Sequence, residues 1–165
     1  QHEALLRQVS AEGITLIGGQ GPDLPLQWQG RRGLMVVPTD SKPRLNVDIA
    51  HLKYLVEPLG ITVAPMPINP EALDRRNLIE RVGAADHVIA CFLARGPLSD
   101  GQRRMIDDIV VTGKPVILTA LLDAQGLDDF PSIRTRLATH GFGPLVLNGL
   151  VDVLLGRQVA NSSGV

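Results

Sequence analysis

The chain has 165 residues, 44% of them hydrophobic, a formal net charge of −1 and one cysteine. That is enough apolar sequence for the core of one domain. It excludes an internal disulfide and leaves no basic stripe that could track a phosphate backbone, so a nucleic-acid partner is not expected. Aromatic residues make up 3%, with one Trp and one Tyr, which speaks against a free-standing module built on aromatic platforms for sugars or single strands. No apolar run approaches the roughly 18 residues a membrane helix needs, so no membrane partner is expected either.

In chain order, residues 2–12 carry Leu5, Leu6 and Val9 on one stripe and stop at Gly13, the pattern of a short helix. The chain opens with Gln1 inside this amphipathic pattern, and residues 1–13 are read as a linker helix from an upstream domain. Residues 14–17 form a strand candidate, broken by Gly18-Gly19-Gln20-Gly21-Pro22. Leu24-Pro25-Leu26 is too short and too Pro-bound for a central strand. Leu34-Met35-Val36-Val37 is the next buried strand, followed by a loop of turn formers at 39–44. Residues 46–59 read as a helix with Ile49, Leu52, Val56 and Leu59 on one face, and Pro58 predicts a frayed or kinked end.

Residues 61–65 are a strand. Asn69-Pro70 then reads as an N-cap with Pro in the first helical position, opening a helix to Val82 with Leu73, Leu78, Ile79 and Val82 inward. Residues 87–93 are a continuous apolar strand. Ser99-Asp100-Gly101-Gln102 fits a capping box, the hydroxyl capping the first turn and Gln102 reaching back, for a helix to Thr112. Lys114-Pro115-Val116-Ile117-Leu118-Thr119-Ala120 is the central strand, an apolar run of the kind buried on both faces of a parallel sheet. A polar loop, a short second strand around 136–140 and a helix over 144–155 complete the domain at about residue 157, with 158–165 as a loose tail. Strands and helices alternating at this spacing need crossover connections. The fold class is therefore α/β, a three-layer α/β/α sandwich with a mostly parallel sheet and a flavodoxin-like outline.

The chemical candidates are few. The Gly18–Gly21 run follows a strand, but no helix opens at once to present amides to a pyrophosphate, so it reads as a turn, and no cofactor is expected. Cys91 lies within a strand, unlike the nucleophile of a sharp elbow, and reads as a buried structural thiol. His2, His51, His87 and His140 have no metal-ligand spacing, and no metal is expected; His51 falls on the exposed side of its helix. His140 ends the short strand on the edge where open α/β sheets place ligands. Asp123, with Asp128 and Asp129, follows the central strand, and Arg95 follows the strand before it on the same expected edge. Arg95 could meet an anionic or hydroxylated ligand or a partner surface, while a carboxylate such as Asp123 can cap a turn or bind a ligand. No nucleophile–base pair and no paired acids emerge, so no catalytic residue is assigned.

Two stretches together resemble one family. Ser10-Ala11-Glu12-Gly13-Ile14-Thr15-Leu16-Ile17, Asp23-Leu24-Pro25-Leu26 and Arg31-Arg32-Gly33-Leu34-Met35-Val36-Val37 resemble the junction between the two domains of glycoside hydrolase family 3. Thr112-Gly113-Lys114-Pro115-Val116-Ile117, Phe130-Pro131, Leu137-Ala138-Thr139-His140-Gly141 and Leu154-Leu155-Gly156 are similar to the "TGKPVI … FP … LATYG … LFG" pattern of its two-domain bacterial β-N-acetylglucosaminidases. Family members often carry an "R-N-P-Y-D" type run after the central strand, where this chain reads Leu122-Asp123-Ala124-Gln125-Gly126, and His140 stands where the pattern has Tyr.

The resemblance implies a C-terminal α/β sandwich domain at 14–157. Its partner would be a catalytic (β/α)8 barrel that carries an aspartate nucleophile and a histidine–aspartate acid/base pair. A barrel takes about 250 residues, so none of those groups maps onto this chain, and the chain alone is expected to be inactive. Self-association through the barrel-facing surface is a further expectation. The rival reading is a stand-alone flavodoxin-like ligand-binding or interaction domain.

Overall fold

The computed structural model describes residues 13–17, 21–40 and 47–162. The expected helix at 2–12, residues 18–20 of the glycine turn and most of the loop at 39–44 lie outside them. The strands are β1 (Thr15–Leu16), β2 (Gly33–Thr39), β3 (Ile61–Pro67), β4 (His87–Phe92), β5 (Val116–Ala120), β6 (Thr135–Ala138) and β7 (Asn161–Ser162). The helices are α1 (Ile49–Val56), α2 (Ala72–Gly83), α3 (Asp100–Val111) and α4 (Pro144–Leu154).

One sheet runs in the order β3-β2-β4-β5-β6-β1-β7. Strands β2 to β6 are parallel throughout, as the helical crossovers require. The parallel run starts in β2, steps outward to β3, then returns past β2 to β4 and continues to β6. That reversal is the flavodoxin-like order and puts a topological switch point between β2 and β4. β1 pairs antiparallel with β6, Thr15 opposite Ala138, so the first strand lies beyond the last parallel one.

Strand alternation sorts the core into two layers. In β4, Ile89 and Cys91 face a cluster with Leu52 and Val56 of α1 and Leu147, Leu150 and Leu154 of α4. Val88, Ala90 and Phe92 face Leu78 and Val82 of α2 and Met105, Ile106 and Ile109 of α3. Every residue of β4 is buried, which is why it reads as an unbroken apolar run.

Several local expectations are corrected. α2 is capped by Glu71, whose amide donates to Asp74 Oδ2 at 2.9 Å. Asn69 instead accepts from the Gly101 amide at 2.9 Å and ties the β3–α2 link to the start of α3. Leu73 points to solvent at 63% exposure, because starting the helix at Ala72 leaves the buried stripe on Leu78 and Val82. α1 stops at Val56 and tightens into a 3-10 turn over Glu57–Leu59 that holds Pro58; Gly60 closes it at φ +73. The segment expected as a loose tail carries β7, whose Asn161 amide donates to Ile14 O at 2.8 Å. Among the described residues no helix is long and apolar enough to cross a membrane.

Candidate functional site at the carboxyl edge of the sheet

Parallel strands end together, so the loops after β2, β3, β4 and β5 converge at one edge, over the switch point. They enclose a cavity of about 370 Å³ whose walls include Asp40, Ile68, Arg95, Ser99, Gln102 and Leu122. Each loop contributes because its strand is fixed by burial beneath it. The helix α3 starts at the cavity floor, with Ser99 as its N-cap: its hydroxyl accepts from the Gln102 amide at 3.2 Å and donates to Ile68 O at 2.9 Å.

Gln102 does not close a capping box. Its side chain is buried at 1% exposure, and Oε1 accepts from the Leu93 amide at 3.0 Å while Nε2 donates to Leu93 O at 3.1 Å. The amide thus completes the last residue past β4 as a sheet neighbour would. A polar residue on the same helical stripe as Met105, Ile106 and Ile109 was the available sequence signal for this role.

Of the three expected site residues, the structure brings two together. Asp123 Oδ2 accepts from the Gly96 amide at 2.5 Å, and its own amide donates to Ala94 O at 3.2 Å. These bonds hold the 93–97 loop in shape, with Gly96 at φ +88, a backbone region that favours glycine. Arg95 sits between the two bonded positions, exposed and on the cavity wall. Asp123 is therefore a clamp on the Arg95 loop. His140 lies apart, at φ 58 on the β6 side, with Nε2 3.4 Å from Thr15 Oγ1 of β1.

The other candidates resolve structurally. Cys91 is fully enclosed in β4, and burial pushes its thiol up to about 12, far from a thiolate at neutral pH. His51 is not on a free face: its Nε2 pairs with Asn148 Oδ1 at 2.7 Å and joins α1 to α4. Helix packing, not the outer surface, sets its position. Among the described residues no group of three or more His, Cys, Asp or Glu gathers for a metal ion. On the cavity wall the Ser99 proton and both polar atoms of Gln102 are committed to the fold. The Arg95 guanidinium stands exposed on this wall over apolar surface, an arrangement suited to binding or packing.

No protein-family model matches the sequence, and no curated protein matches it. Solved structures do share the fold. A glycoside hydrolase family 3 β-N-acetylglucosaminidase from Paenibacillus sp. str. FPU-7 superposes with a TM-score of 0.79 at 17% identity, over 95% of this chain and 31% of that one. A fungal multi-domain β-N-acetylglucosaminidase of the same family, which also has a GCN5-related glucosamine N-acetyltransferase region, gives 0.76 at 16%, over 97% and 18%. A β-glucosidase from Listeria innocua in complex with isofagomine gives 0.73 at 17%, over 95% and 26%. The chain spans less than a third of the length of each of these structures. It has the fold of one region of such multi-domain hydrolases.

Proposed function

We propose that this chain is the C-terminal, non-barrel domain of a glycoside hydrolase family 3 protein of the β-N-acetylglucosaminidase type. Its carboxyl edge packs on the catalytic barrel and shapes one wall of the active-site mouth. The observation that carries the reading is the superposition on the Paenibacillus enzyme over 95% of this chain, together with family motifs in the same chain order. The chemistry of the edge agrees: a clamped, exposed Arg95 over an apolar hollow supports contact and orientation, and no pair of carboxylates of the kind glycoside hydrolysis uses stands on the cavity wall. Asp123 holds the Arg95 loop, and His140 contributes to the same edge from β6. Separated from the barrel, this edge would expose apolar surface, which is the basis for self-association.

The test is an assay of the 165-residue chain on a chromogenic N-acetylglucosaminide. The expected result is no turnover above the uncatalysed rate at any protein concentration. Turnover that scales with chain concentration would contradict the assignment.

The cavity at the switch point supports a second reading, a stand-alone ligand-binding domain, because that is where doubly wound sheets hold their ligands. Saturable heat on titration with a flavin or nucleotide would favour it.

A further inference from the structure

The amino edge of the sheet holds a buried titratable group that the carboxyl-edge site does not use. Residues 21–32 cross beneath this edge as a strap between β1 and β2. The strap is fastened at its ends and middle: Asp23 to the Thr135 hydroxyl at 2.7 Å, the Leu26 amide to Leu154 O at 2.7 Å, and the Arg32 amide to Asp86 Oδ2 at 2.7 Å. Leu26 and Trp28 pack against the α1–α4 core layer. Between strap and sheet lies a cavity of about 240 Å³ bounded by Asp23, Pro25, Arg31, His87, Pro115 and Ile117.

His87 is 3% exposed, and among the described residues neither ring nitrogen has a hydrogen-bond partner. The ring lies over Gly33 so closely that a Cβ there would stand 2.5 Å from Nε2, with Ile61 Cγ1 at 2.8 Å. The imidazole is thus pressed against the Gly33 backbone on one side and borders the strap cavity on another. A buried imidazolium without acceptors is costly, and so is one facing a like charge. The charged groups around it come from two segments, the strap and the turn before β4. Arg31 on the strap opposes a proton, Asp86 beside it in the chain favours one, and Asp23 lies across the cavity. β3 and the start of β5 contribute Ile61, Pro115, Val116 and Ile117, which carry no charge. Lys114 acts on Asp86, whose carboxyl the Arg32 amide holds below its usual value.

We propose that the strap is an acid-releasable latch: it seats only over a neutral His87, and protonation of His87 unseats residues 21–32 from the amino edge while the five parallel strands stay folded. Burial first, then Arg31, lowers the proton affinity of His87, with Asp86 partly offsetting them. The sign follows. The released strap lets His87 titrate near the ordinary imidazole value of about 6.5, so the open form binds more protons than the closed form below that pH. Closure is complete above that value and is lost as pH falls through the depressed value of the closed form.

Trp28, the one tryptophan, sits on the strap and reports its seating. Its emission is followed from neutral pH to about pH 4.5, beside far-UV circular dichroism, on the whole chain. The expected result is a reversible red shift on acidification with the circular dichroism unchanged. Arg31→Gln, at an exposed position, should move the midpoint to lower pH, because without the repelling cation a protonated His87 is less costly under the seated strap. His87→Leu should abolish the transition. If that variant fails to fold, the Arg31→Gln shift still decides. A flat Trp28 emission, a midpoint that Arg31→Gln leaves in place or raises, or an emission change that coincides with loss of the whole sheet would overturn the latch.

Discussion

Phe92→Ala should lower the free energy of unfolding by about 4 kcal/mol, read as a drop in urea midpoint at unchanged slope. Phe92 is fully buried at the carboxyl end of β4 and heads the largest enclosed side chains of the core. Its ring supports the carboxyl-edge loops from below. A Cβ at Gly126 would stand 3.2 Å from Phe92 Cε1 and 3.0 Å from Leu98, so the 3-10 turn Gln125–Asp129 is already pressed onto this pair. Backbone bonds fix the surroundings, with the Leu121 amide on Phe92 O at 3.0 Å. The gap left by the ring therefore cannot collapse fully, and the cavity adds to the lost transfer energy. Small domains have only about 5–15 kcal/mol of net stability, so the variant should lie near the edge of folding at 37 °C. A loss below about 1 kcal/mol would mean that the turn re-packs into the space, contrary to this account.

Gln102→Leu should cost about 3 kcal/mol, although it places an apolar side chain of similar size in an apolar stripe. The reason is the partner left behind. Gln102 satisfies both the amide and the carbonyl of Leu93, a residue 4% exposed. Leucine would leave two backbone groups buried without partners, each costing about 1–3 kcal/mol. Gln102→Glu separates this from packing: it keeps the acceptor for the Leu93 amide but loses the donor to Leu93 O. The urea midpoints should rank wild type, then glutamate or leucine well below. A leucine variant as stable as wild type would show that water satisfies Leu93.

The buried strands were legible because burial on both faces leaves a run with no polar alternation, as in β4 and β5. The alternating order of strands and helices was enough for the layered architecture and for the edge on which Arg95, Asp123 and His140 would emerge. What escaped were the pairings made across the chain. Asn69 followed by Pro70 has every local feature of a helix start, yet its side chain serves Gly101. Ser99 and Gln102 have capping-box spacing, yet Gln102 serves Leu93. His51 falls on the polar side of α1 by periodicity, yet Asn148 meets it from α4. In each case the donor or acceptor lies on an element whose position depends on the folded sheet. The same limit applied to β7, a two-residue strand that leaves no periodic signal and pairs because β1 offers an edge, whereas β1 falls within the strand read at 14–17. Within the candidate site, Asp123 and Arg95 are brought together by bonds from Asp123 to Gly96 and Ala94 across two loops, which no local sequence pattern announces.

The claim on which the function rests is that the carboxyl edge is covered by a catalytic barrel. Hydrogen–deuterium exchange of the isolated chain, set beside the same residues in the polypeptide that includes the barrel, tests it directly. The account predicts that amides in the 93–97 and 121–124 loops slow by tenfold or more in the longer protein, while those of the amino edge are unchanged. Equal rates in those loops, or protection confined to the strap and the amino edge, would contradict it.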